Sequence, residues 1–112
     1  MAHQIISRIA NFDKSIKKFK NKYKNIAQDL KILYQLLENN PFSGDEMFEN
    51  CYKLRLKNSS TNKGKGGGFR VVYYVVTKDN RIYLIDIYSK SDQENIEKSH
   101  LLKLLKDENI NQ

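Results

Sequence analysis

The sequence predicts an α+β domain with helices on one face of a mainly antiparallel sheet. Three observations carry that expectation. Phe12, Ile16, Phe19 and Tyr23 recur at helical spacing, and Ile26, Leu30, Leu33 and Leu37 repeat the pattern directly afterwards, which marks two successive amphipathic helices. Further on, Cys51–Lys57 alternates apolar and polar residues with the period of a half-buried strand. Phe69–Val76 and Ile82–Tyr88 are then two β-branched and aromatic runs joined by a short polar turn, the pattern of a hairpin. A length of 112 residues fits a single domain, 1–112.

Each element follows from local chemistry. Gln4–Ile9 holds three isoleucines and alternates weakly, a short first strand. Asn11 or Asp13 is placed to cap the first helix. The second helix stops at Glu38-Asn-Asn-Pro41, because proline cannot continue a helix and disfavours helix in the residue before it. Only a short break around Lys24-Asn25 separates the two, so they form an antiparallel hairpin. Pro41 to Asn50 reads as a loop that turns at Gly44. In the strand after it, Tyr52, Leu54 and Leu56 face one side, and Lys53, Arg55 and Lys57 the other. Asn58 to Gly68 is polar and glycine-rich, a loop. Thr77-Lys-Asp-Asn80 turns the hairpin. Ser91-Asp-Gln-Glu94 has the spacing of a capping box and opens a last helix, Asp92–Lys106, whose apolar side is Ile96, Leu101, Leu102, Leu104 and Leu105. That helix either packs on the sheet or docks elsewhere. The order is β-α-α-β-β-β-α.

Composition narrows the function. Lys and Arg number 20 against 13 Asp and Glu, a formal charge of +7, which calls for an anionic partner: RNA, DNA, a membrane surface or an acidic protein. The apolar runs are far shorter than the ~20 residues of a membrane span, and the start of the chain lacks the pattern of a signal peptide, so the expected setting is cytoplasmic, with no membrane partner. One cysteine, Cys51, excludes an intramolecular disulfide framework. One cysteine and two separated histidines exclude a zinc ribbon or finger, and neither a metal site nor a cofactor is expected.

The densest signal is Lys53 to Arg70. It holds Lys53, Arg55, Lys57, Lys63, Lys65 and Arg70, six of the 20 basic residues in 18 positions, and no acid. Three of these cations share one strand face, where like charges repel unless an anion answers them. The loop between carries Gly66, Gly67 and Gly68, and glycine lets a backbone approach a ligand closely. The alternatives are a phosphate-tracking surface and a solvated strand face with a loose loop; the absence of acids favours the first. Lys14, Lys17, Lys18, Lys20, Lys22 and Lys24 are either the solvent face of the first helix or the rim of the same surface. Tyr73, Tyr74, Tyr83 and Tyr88 either stack bases or pack in the core. His3, His100 and Cys51 lack catalytic partners, and Asp86, the one acid in a strong strand, reads as a structural mate of a nearby cation. Without a histidine pair, RNA cleavage is still open to such a chain. The ribose 2′-hydroxyl is the nucleophile, arginines and lysines stabilise the transition state, and a lysine with a lowered pKa serves as base.

Lys53-Leu-Arg55-Leu, then Gly64-Lys-Gly-Gly-Gly-Phe-Arg70-Val-Val-Tyr-Tyr74, then Tyr83-Leu-Ile-Asp-Ile-Tyr88-Ser-Lys90, resembles the RelE/ParE toxin superfamily, and within it the HigB-like branch. The Asn40-Pro41…Gly44 loop and the two helices before it fit as well, so the likeness spans nearly the whole chain. It implies a RelE-like fold: a small antiparallel-centred sheet, two N-terminal helices packed on it and a C-terminal helix. It implies a bacterial type II toxin that cleaves mRNA on the ribosome, without metal, by the 2′-hydroxyl route. By position, Arg70, Arg55 and Lys53 are its catalytic residues, with Lys57, Lys63, Lys65, Gly67 and Gly68 on the RNA. Well-studied RelE toxins carry an arginine after the position of Lys90 and a tyrosine a few residues later; here Ser91 and Glu97 stand there, which reassigns those roles to Lys90 and Tyr88. The implied partners are a cognate antitoxin and the ribosome with its mRNA, reached through the basic face. The alternatives are a ParE-like inhibitor of DNA gyrase that cuts nothing and a non-catalytic RNA- or ribosome-binding module.

Overall fold

A computed structural model describes residues 4–61, 68–91 and 96–111. Its elements are β1 (Ile5–Arg8), α1 (Ala10–Lys20), α2 (Ile26–Asn39), β2 (Asp45–Phe48), β3 (Cys51–Leu56), β4 (Phe69–Val76), β5 (Arg81–Ser89) and α3 (Lys98–Asp107). The strands form one sheet in the order β1-β5-β4-β3-β2, parallel between β1 and β5 and antiparallel elsewhere. The fold is α+β, as the periodicities predict. Among the described residues no helix is long and apolar enough to cross a membrane.

Strand alternation sorts the core into two layers. Phe69, Val71, Tyr73 and Val75 of β4 pack with Leu54, Leu56, Ile82, Leu84 and the apolar stripes of α1 and α2. Val72, Tyr74 and Val76 face the other way, with Cys51, Ile85 and Tyr88, and there they meet Leu101, Leu105 and Ile110 of the C-terminal region. Helices therefore cover both faces, not one. The last helix carries an apolar side of its own, with Leu101 and Leu105 buried, so it too needs a sheet face.

Three further expectations are corrected. The stretch before Asn50 is not all loop: Asp45–Phe48 pairs with β3, with a bulge between Glu46 and Phe48. Asn50 makes the turn at φ 66°, and its N–H donates to Glu46 Oε2 at 3.3 Å. The stretch opens on two acids and carries no β-branched residue, which is why the sequence hides it. Neither Asn11 nor Asp13 caps α1; the cap position is Ile9, and Asn11 instead donates its side-chain N–H to the Ile85 carbonyl at 3.0 Å. The C-terminal helix starts at Lys98 rather than after Ser91, with Glu97 at its cap position; most of the capping-box segment lies outside the described residues.

The β4–β5 register slips by one between Val72 and Tyr73. Continued unbroken, the pairing of Tyr74 with Tyr83 and of Val75 with Ile82 would set Ile87 opposite Arg70; after the slip, Tyr88 stands there. The bulge thus re-aims one phenol.

Candidate active site

The strand register lines up a charged row on the face that α3 half covers. Arg55 of β3 is opposite Arg70 of β4, and Arg70 is opposite Tyr88 of β5. Two residues along β3, Lys53 lies opposite Val72 on one side and Asp45 of β2 on the other. Two arginines directly across a ladder repel, a cost that a bound anion relieves. Around them is a cavity of about 430 Å3 lined by Asp45, Glu46, Met47, Lys53, Arg55, Arg70 and Lys90.

Each side chain is held differently. Arg55 is exposed, whereas Arg70 is only 6% exposed and reaches the Phe69 carbonyl at 3.4 Å. Lys90 continues from β5 with its backbone N–H on the Gly68 carbonyl at 3.1 Å. Gly68 itself must be glycine, since a Cβ there would meet the Leu56 carbonyl oxygen at 2.4 Å. Tyr88 is 4% exposed, and among the described residues its Oη has no hydrogen-bond partner. Burial raises its phenol pKa, while the Arg70 charge pulls it back down. The phenol is therefore a neutral donor at physiological pH rather than a base.

Of the residues singled out from the sequence, Lys53, Arg55, Arg70 and Lys90 meet in one cavity, and Tyr88 adjoins Arg70 in the same row. Lys57 is exposed just past the end of β3, outside the cavity lining. Lys63, Lys65 and Gly67 lie outside the described residues. The acids Asp45 and Glu46 and the apolar Met47 were not foreseen in the lining. Their one sequence signal is position: an acid pair directly after the Gly44 turn and just before the basic strand.

The remaining candidates resolve into structure. Tyr73 and Tyr74 are buried, so packing holds for them instead of base stacking, and Tyr83 is half-buried with the Arg81 guanidinium 5.8 Å from its ring centre. Cys51 is fully buried and its thiol pKa is pushed up to about 12 by burial, which removes it as a nucleophile. Asp86 Oδ1 accepts the Ser15 hydroxyl at 3.2 Å and the Ile87 N–H at 2.9 Å, stapling α1 to β5, and the His100 charge acts on it as well. A larger cavity, about 630 Å3, lies between α1 and α2 over Ile16, Tyr23, Ile26 and Leu30, but no row of facing functional groups enters it.

No family model matches the chain. Solved structures of the Escherichia coli toxin RelE share its architecture over nearly its whole length. A double arginine-to-alanine mutant of that toxin in the free state superposes with a TM-score of 0.57 at 14% identity, covering 97% of this chain and 100% of that one. The isolated toxin gives 0.56 at 14% identity, over 95% and 99%. The mutant in complex with an antitoxin peptide gives 0.55 at 16% identity, over 99% and 98%. The chain therefore has the RelE fold, as the resemblance in its β3–β5 motifs implies.

Proposed function

We propose that this chain is the toxin of a type II toxin–antitoxin pair and that it cleaves mRNA on the ribosome. The observation that carries the reading is the Arg55–Arg70–Tyr88 row with Lys53 and Lys90 beside it. The shared fold supports it, and the Gly-Gly-x-Arg and Tyr-x-Lys motifs of the sequence point to the HigB-like branch.

The chemistry follows from the side chains. Arg70 and Arg55 hold the non-bridging oxygens of the scissile phosphate and gain most when charge builds on them in the transition state. Lys53 adds to the field that draws the strand in. Tyr88, its Oη buried, flanks Arg70 as a neutral phenol. The leaving 5′ oxygen takes a proton from the Lys90 ammonium. The nucleophile is the substrate's own 2′-hydroxyl, so RNA is cut and DNA is not, and the route asks for no metal. The partners are an antitoxin, rich in acidic and apolar residues to match this surface, and the programmed ribosome.

Primer extension on an mRNA in a reconstituted translation reaction tests the reading. Wild type should give ribosome-dependent cuts, and Arg70→Ala should lose them by about 10²-fold or more while still folding. Cuts that persist in a folded Arg70→Ala protein would sink the site assignment. A growth-inhibiting wild type that cuts nothing would point instead to gyrase, to be read in a supercoiling assay.

A further inference from the structure

We propose that Asp45 is the proton acceptor of this site: its carboxylate takes the proton of the attacking 2′-hydroxyl. The inference rests on the RNA-cleaving reading and names a residue within it. The first ground is placement. Asp45 stands opposite Lys53 and lines the cavity with Lys53, Arg55, Arg70 and Lys90. Glu46 lines it as well, but it stands opposite Tyr52, and its Oε2 is engaged by the Asn50 N–H. Successive strand residues point to opposite faces, so Asp45 is the acid on the Lys53 side.

The second ground is electrostatic. A carboxylate among four cations weakens the binding of a phosphodiester to them. Proton abstraction gives that charge a use, because a base must lie next to the phosphate it helps to attack. The third ground is rigidity. The Gly44 N–H donates to Tyr73 Oη at 2.9 Å, and a Cβ on Gly44 would meet the Lys53 carbonyl oxygen at 2.7 Å. The residue before Asp45 is thus pressed against the strand that carries Lys53 and Arg55, which fixes the carboxylate relative to both.

The step balances without a co-reactant. Asp45 takes the 2′ proton as the 2′ oxygen bonds to phosphorus. The bond from phosphorus to O5′ breaks, its electron pair stays on O5′, and that oxygen takes the Lys90 proton. The products are a 2′,3′-cyclic phosphate and a 5′-hydroxyl. Asp45 and Lys90 regain their starting protonation by exchange with water.

The test compares wild type, Asp45→Asn, Asp45→Glu and Arg70→Ala in single-turnover cleavage of a ribosome-bound mRNA, with ribosome affinity measured for each. Asp45→Asn should slow cleavage by about 10²-fold or more, bind as tightly as wild type or tighter, and be partly rescued by Asp45→Glu. If Asp45 only anchors Lys53, the asparagine variant will bind more weakly, and the weaker binding will account for the loss. That result overturns the proposal, as does wild-type cleavage by Asp45→Asn. A wild type that cuts nothing overturns the nuclease reading and Asp45's role with it, whereas a cutting wild type with an indifferent Asp45→Asn overturns this proposal alone.

Discussion

Tyr73 shows how much one side chain beneath the site can govern. It is fully buried, stacks on Tyr52 with ring centres 5.5 Å apart, and accepts the Gly44 N–H through its phenol oxygen. Burial pushes that phenol's pKa up to about 12, so it stays neutral throughout the physiological range. Tyr73→Phe keeps the packing and removes the acceptor, at a cost of about 1 kcal/mol. The unfolding midpoint should fall by a few degrees, and cleavage should fall further than stability, because the mount of Asp45 loosens; equal cleavage rates would show that the hydrogen bond does not reach the site. Asp86 offers a test with a defined sign. Its carboxyl pKa is raised above the ordinary 3.8, first by burial, against the Ile87 N–H, Ser15 and the His100 charge. A raised carboxyl favours the folded state most when protonated, below the ordinary value, and that advantage is lost as pH climbs through the raised value. Asp86→Asn keeps an oxygen acceptor for Ser15 and Ile87. It should raise the midpoint of thermal unfolding at neutral pH and do so less in acid; a lower midpoint at neutral pH would show that the ionised carboxylate itself is needed.

Among the elements, those with an apolar period or a β-branched run were legible and β2 was not. Phe69–Val76 has the same bounds in the sequence and the structure, since seven of its eight residues are β-branched or aromatic and leave no helical alternative. The alternation of Tyr52, Leu54 and Leu56 against Lys53 and Arg55 likewise gave two of the four cations in the cavity lining, and the Arg70 and Lys90 motifs gave the other two. β2 escaped because its four residues gain their pairing from β3 and not from any pattern of their own. The acids of the site lie in that strand, so the sequence hides them with it. The slip in β4–β5 was equally silent, since a bulge is set by neighbouring strands rather than by composition. The α1–α2 hairpin carries a second test. Its groove has an apolar floor and a rim of Arg8, Lys20, Lys24 and Lys31, with no acid in the lining, a surface suited to an acidic amphipathic segment of the proposed antitoxin. Lys20→Glu with Lys24→Glu should weaken neutralisation by antitoxin and leave mRNA cleavage intact. Unchanged neutralisation would place the antitoxin on the sheet side instead.

At the scale of the whole molecule the charge of +7 is not confined to one face. The α1 lysines belong to the α1–α2 side of the sheet, yet Lys14 and Lys18 border a cavity of about 330 Å3 together with Asp86, Ile87, Tyr88 and Ser89. The end of β5 therefore joins that cavity to the Arg70 groove, and positive charge wraps around it. Salt dependence can measure how much of this charge the RNA uses. Each phosphate neutralised on a single strand contributes about −0.7 to the slope of log affinity against log salt. Four groove cations alone give a slope of about −3, and Lys14 with Lys18 would steepen it by about 1.4. The comparison is between wild type and a Lys14→Gln, Lys18→Gln double variant, both binding a programmed ribosome over a range of salt. If the strand runs around the end of β5, the variant's slope is shallower and its single-turnover cleavage rate at saturation is unchanged, because Arg55 and Arg70 are untouched. If the two slopes coincide, the helix lysines are solvent-facing charge and the RNA track ends at Lys90. A flat slope in wild type would reject phosphate contact altogether, since a groove lined by four cations cannot hold a polyanion without releasing its counterions.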